Sequence, residues 1–147
     1  MRRRLFLLGD FMPRVSAAFF ATGVVAVLIG MCFGMYMGSH EDFTLAPAHA
    51  HLNLVGWVTM ALYGTFYALT RGTMSNTLAW IHYAVSTVGV IVMVTGLALF
   101  LSHGNDKAYT PIMVPGEIMT TLGMAIFAIS VFRELLRARP SGGMAKA

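Results

Sequence analysis

Among five histidines, two stand close together inside an apolar stretch, Pro47-Ala48-His49-Ala50-His51-Leu52-Asn53-Leu54-Val55-Gly56-Trp57. Ionisable groups within an apolar helix are costly, and where they occur they default to a functional reading. On a helix, residues two apart differ in direction by about 200°, so His49 and His51 project from opposite sides. They cannot clamp one ion as an i, i+4 pair would. The spacing suits service to two separate centres, one on each flank of the helix, each completed by a ligand from elsewhere. Neutral imidazole is a good iron ligand, and a flat macrocycle between helices fits apolar surroundings. The same spacing also describes two histidines solvated by lipid headgroups, and spacing alone leaves both readings open.

Other residues qualify this reading. Asn53 and Trp57 fall one and two turns along from His49 on its face, where they would support a macrocycle or a ligand; for Trp57 an ordinary helix contact fits equally well. Glu117, after Pro115-Gly116, is the carboxylate that lies within an apolar run. It suits accepting a hydrogen bond from a ligating histidine or passing protons, and equally a place in a first helical turn, favoured by the dipole and wetted at the interface. The twelve methionines show no repeated Met-x-x-Met pattern, which favours adaptable packing over copper transport. Cys32 is the single cysteine, so no intramolecular disulfide forms.

The elements that carry these residues follow from composition. Of 147 residues, 57% are hydrophobic and 11% charged, and the mean hydropathy is +0.71. These values belong to a bilayer protein. Spanning takes about 20 apolar residues, and four runs qualify: Val15 to Gly38, Ala48 to Leu69, Leu78 to Leu101 and Val114 to Phe132, separated by clusters of Gly, Pro, Ser, Asn and Asp. The runs are apolar on every face without a period of two, which disfavours a β-barrel. The expectation is a single all-α domain of four transmembrane helices, followed by a frayed tail over 133–147 and leaving no separate soluble domain. Met1-Arg2-Arg3-Arg4 resembles the start of a signal peptide, but Leu5 to Leu8 is too short an apolar core and Asp10 interrupts it, so the first run reads as retained.

Nine of the ten Lys and Arg residues precede the first run, join the second to the third or follow the fourth; Lys107 is the exception. Cytoplasmic loops carry this excess, which predicts both termini in the cytoplasm and a place in the bacterial inner membrane. Basic residues at the ends of apolar runs, and not in a surface stripe, also explain the pI of 9.6 without a nucleic-acid partner. On this topology His40, His49, His51 and His103 lie near the outer surface. His82 enters from the inner side, about 20 Å from His51 by helical rise, and a polar contact there is its expected role. Gly56, Gly64, Gly89 and Gly96 read as close-packing positions.

His49-Ala50-His51 with Leu54-Val55-Gly56-Trp57-Val58 and Tyr63-Gly64-Thr65-Phe66-Tyr67 resembles the tenth helix of the catalytic subunit of heme–copper oxidases, closest to the C-type cytochrome oxidases and their nitric oxide reductase relatives. Ile81-His82-Tyr83-Ala84-Val85-Ser86-Thr87-Val88-Gly89-Val90 is similar to the helix that follows it, where the family histidine is not a heme ligand. The resemblance covers about half the chain well. It implies that the first histidine of the pair ligates one heme and the second ligates another, across the helix. Family subunits hold twelve helices as three arcs of four, and this chain resembles one arc. The implied assembly is a homotrimer with three interfacial hemes b, each held by His49 of one copy and His51 of the next. A dimer would satisfy the same ligands, so the number three rests on the resemblance.

Departures from the family narrow the chemistry. The adjacent His-His pair of the copper site is absent, which argues against copper and against oxygen reduction at a heme–copper centre. His103, Lys107 and Tyr109 stand where the family has an arginine pair at the heme propionates, which makes His103 a candidate cofactor contact. A C-x-x-C-H attachment is absent too. The leading expectation is a membrane cytochrome b exchanging electrons with a quinol or a periplasmic carrier. Two alternatives stay open: a heme that binds, senses or reduces nitric oxide or oxygen, and a heme-free bundle for transport or complex assembly.

Overall fold

The computed structural model describes residues 12–137. Four helices are long and apolar enough to cross a membrane: α1 (Arg14–His40), α2 (Ala46–Leu69), α3 (Asn76–Ser102) and α4 (Thr110–Arg137), the last preceded by a 3-10 turn, Lys107–Tyr109. Among the described residues every regular element is helical. Short loops make each span antiparallel to the one before. The α1–α2 and α3–α4 loops therefore share one end, called the histidine end below, and the α2–α3 loop lies at the other.

Local chemistry sets the boundaries. Pro13 precedes α1, and its carbonyl accepts from Ala17 N at 3.1 Å. The helix ends where Glu41 turns left-handed, φ 53°, and donates its N–H to the Met37 carbonyl. In the loop that follows, Asp42 Oδ1 accepts from Thr44 N at 3.0 Å, and hydrogen bonds from Thr44 hold this carboxyl below its ordinary range. Pro47 sits in the first turn of α2, where no intrahelical donor is needed. Ser75 caps α3 by accepting from Leu78 N, and Asp106 caps the 3-10 turn by accepting from Ala108 N.

The four apolar runs are helices as expected; α1, α3 and α4 extend past their runs into polar flanks, and α2 gains only Ala46 and Pro47. At α4 the difference is largest. The helix begins at Thr110, four residues ahead of the run, and passes through Pro115, because Pro115 removes only one internal donor. It also continues through Arg133 to Arg137, so the frayed tail expected from residue 133 is helical that far. Glu134 pairs with Arg137 at 3.3 Å and accepts from Thr73 Oγ1 at 2.7 Å, and Arg137 donates to the Thr73 carbonyl. These contacts tie the last turn to the α2–α3 loop. The rest of that expected tail lies outside the described residues.

Packing follows the small residues. A Cβ added at Gly96 would lie 2.6 Å from Met113 Cα, and at Gly89 2.7 Å from Thr120 N. Gly116 and Gly123 of α4 likewise meet Met93 and Ser86 of α3. The α3–α4 pair is therefore backbone against backbone, as interhelical packing in lipid favours. Gly56 approaches Ala26 on α1, and Gly64 approaches the Ser16 carbonyl and Phe20. All four glycines expected to allow close approach do so.

At the end away from the histidine pair the four spans converge on one aromatic core. Phe19 of α1, Tyr63 and Tyr67 of α2 and His82 of α3 are buried there, with Phe127 of α4 packed against them. His82 is 4.3 Å from Tyr63, 5.1 Å from Phe19 and 5.8 Å from Phe127 between ring centroids.

Candidate functional site

His49 and His51 lie in the α-helical start of α2, and their rings diverge. His49 is half-buried toward α1, where a Cβ at Gly34 would stand 3.0 Å from its Cε1. His51 is exposed, and its Nδ1 bonds the Pro47 carbonyl at 2.7 Å. The opposed directions expected from the spacing are what the structure has.

The His51 contact defines its chemistry. With Nδ1–H donated to a carbonyl, the free lone pair is on Nε2, which is how a metal-ligating imidazole is usually oriented. The Pro47 carbonyl thus fills the acceptor role considered for Glu117. Glu117 itself is exposed and joins no histidine of its own chain. It lies two turns into α4 and not in the first turn, since the helix starts at Thr110. His40 and His103 also bond the carbonyl four residues back, at 2.9 Å in each case, so this orientation alone does not single out His51.

His49 is held differently. Asn53 Nδ2 donates to the His49 carbonyl at 3.0 Å and lies 3.3 Å from its Nδ1 and 3.2 Å from its Nε2. An atom that close to both nitrogens in the ring plane would collide with Cε1, so the amide sits over the ring face. Neither nitrogen lone pair is consumed by this contact. Asn53 fills the space above Gly30, where any Cβ would overlap its Oδ1, and Trp57 fills the space above Gly23. His49, Asn53 and Trp57 therefore form one row along α2, each seated on a glycine of α1. The row is the face expected for these three residues, with Trp57 making the ordinary helix contact.

Two features were not anticipated. Gly23, Gly30 and Gly34, seven and four residues apart, are the floor under that row, and the helical spacing of these glycines was the available signal. The second is a π-helix over Leu52–Thr59, directly after the histidine pair. Residues four apart run ahead by about 40° in an α-helix, whereas the wider i→i−5 turn lags behind. The two deviations offset, which keeps His49, Asn53 and Trp57 in line. Thr59 Oγ1 donates to the carbonyl of Leu54, five residues back, within this segment. No signal in the sequence announced it.

No family model, curated protein or solved structure matches this chain.

His103 ends α3 at the histidine end, exposed, bonded to Leu99 O and Ser102 Oγ and 4.6 Å from the Tyr109 ring. No contact brings it to His49 or His51. His82, by contrast, is fully buried at the far end, where its Nδ1 lies 3.0 Å from Tyr67 Oη. This is the polar contact expected of it. Tyr67 is sixteen residues along from His51, roughly 20 Å by helical rise, which keeps His82 out of the histidine pair's site. Among the described residues no three His, Cys, Asp or Glu side chains cluster to hold an ion within one chain.

Proposed function

We propose that this chain is a small membrane cytochrome b, a trimer in which His49 of one copy and His51 of the next hold one heme b at each subunit contact. The observation that carries the proposal is the divergence of the two rings, with His51 exposed and its Nδ1 tied to Pro47, so that Nε2 faces outward. The donor set fits the group: two imidazoles with uncommitted nitrogens on an apolar helix suit six-coordinate iron. Bound there, a heme supplies a one-electron ferric–ferrous couple.

The chain's own residues hold and orient. Pro47 fixes the His51 tautomer, Asn53 covers one face of His49, and the α1 glycines let both helices approach. The charge distribution supports a histidine end at the periplasmic face of a bacterial inner membrane. A quinol or a periplasmic carrier would exchange electrons there. The likeness of the His49–Trp57 segment to oxidase sequences supports three copies over two.

Absorption spectra of the purified protein in detergent, beside His49→Ala and His51→Ala, test the ligands. The wild type is expected to show a low-spin b-type spectrum, unshifted by carbon monoxide after reduction, and each variant to lose it. Full low-spin heme in both variants would place the ligands elsewhere, and a colourless wild type would remove the heme altogether.

A further inference from the structure

The electron-transfer reading leaves a second polar site unused. Tyr67 Oη lies 3.1 Å from Ser130 Oγ and 3.0 Å from His82 Nδ1. All three groups are buried, and His82 has no exposed surface. A small pocket of about 10 Å³, lined by Tyr67, Ser130, Thr73, Arg133 and Glu134, opens beside this chain at the end away from His49. That is room for about one water. At the other end of the chain His82 Nε2 is buried without a partner, and so is Ser86 Oγ, one turn along.

Packing does not account for these groups. His82 is surrounded by Phe19 from α1, Tyr63 and Tyr67 from α2 and Phe127 from α4, with Ser130 beyond Tyr67. A phenyl ring would fill the same space, while an imidazole with one orphaned nitrogen incurs desolvation without full hydrogen bonding. No carboxylate or cation faces His82 among the described residues. The charged groups, Arg133, Glu134 and Arg137, lie at the pocket or flank it.

We propose that Ser130, Tyr67 and His82 form a proton relay open to the Glu134 end of the membrane and ending blind on His82. A hydronium in the pocket gives a proton to Ser130 Oγ as the Ser130 hydroxyl turns from the Ile126 carbonyl, to which it donates at 3.2 Å, and passes its own proton to Tyr67 Oη. Tyr67 passes its own to His82 Nδ1. The hydronium ends as water, the imidazole as imidazolium, and both hydroxyls are restored; the reverse sequence unloads the ring. No electron moves. His82 thereby stores a proton drawn from one face only, whether or not His49 and His51 hold a heme.

Hydrogen exchange at the His82 ring tests this, read by NMR on the full chain with ¹⁵N-labelled histidine in nanodiscs. The signal is assigned by its loss in His82→Gln. Tyr67→Phe should slow exchange with solvent by at least about tenfold. Ser130→Ala, which leaves the Tyr67–His82 bond in place, should do the same. Ser86→Ala, beyond the blind end, should leave the rate unchanged. A bond that only held the core together would behave oppositely: both relay variants would loosen the packing and exchange as fast as wild type or faster, and that result would overturn the relay. Slowing by Ser86→Ala instead would overturn its direction.

Discussion

The environment of His49 depends on atoms that α1 lacks. Gly30 leaves room for the Asn53 amide and Gly34 for the His49 ring, so side chains there act on the site without touching a ligand nitrogen. Gly30→Ala puts a methyl on Asn53 Oδ1 and must move the amide off the ring. Overpacking of this kind costs about 1–3 kcal/mol, more than the roughly 0.5–1 kcal/mol that a helix gains from Gly to Ala. The expected outcome is a protein less stable in denaturant titration and, on the cytochrome reading, a changed Soret band. Gly38→Ala is the control, since no atom lies within 4 Å of its added Cβ, and it should be neutral or slightly stabilising. The candidate row His49, Asn53 and Trp57 was legible because i, i+4 spacing is a property of one helix. Its glycine floor was legible only in part: the spacing of Gly23, Gly30 and Gly34 puts them on one face of α1, but which α1 face meets α2 depends on tertiary packing.

Between elements, the α3–α4 contact is the tightest in the molecule. Lipid tails are as apolar as the side chains, so association rests on close packing of surfaces and not on removal from water. Backbone atoms of Met93 would meet any Cβ at Gly116, and Met113 Cα one at Gly96. A backbone cannot yield as a flexible side chain can. Gly116→Ala is therefore expected to cost about 1–3 kcal/mol and to be worse than Gly56→Ala, which meets the Ala26 methyl at 3.0 Å. Denaturation of the two variants in mixed detergent micelles orders them. At this scale the spans were legible from run length and hydropathy, and Gly89 and Gly96 from their small size. The start of α4 was not, because Pro115 reads locally as a boundary although its ring is accommodated inside the helix. The π-helix was hidden for a different reason: Leu52–Thr59 has the apolar composition of any span, and the hydrogen-bond register is not written in composition.

At the scale of the whole molecule, the ends of the bundle differ. Away from the histidine pair, all four spans contribute to a buried core around His82, whereas His51 and His103 at the other end are exposed. In the most apolar window of each span the share of residues buried by the chain itself is 33% for α1 but only 11% for α4, so α4 is the span its own chain covers least. Contacts between Gly56 and Val90 and between Gly116 and Met93 put Glu117 near the level of Asn53 on that bare helix. A carboxylate inside an apolar span is costly without water or a partner. On the cytochrome reading a single copy also offers each iron only one imidazole of the histidine pair, because the two rings point apart. Joining His49 of one copy to His51 of the next is head-to-tail, and such contacts close into a ring when the rotation returns to its start. On the cytochrome reading, with the number three taken from the oxidase resemblance, native mass spectrometry from detergent should find three chains with three hemes. His51→Ala should remove the hemes and weaken the ring in parallel, because each lost ligand is also a lost link between copies. Two chains with two hemes would keep the ligation and refute the oxidase-like ring, while a monomer retaining one heme would refute the shared site itself.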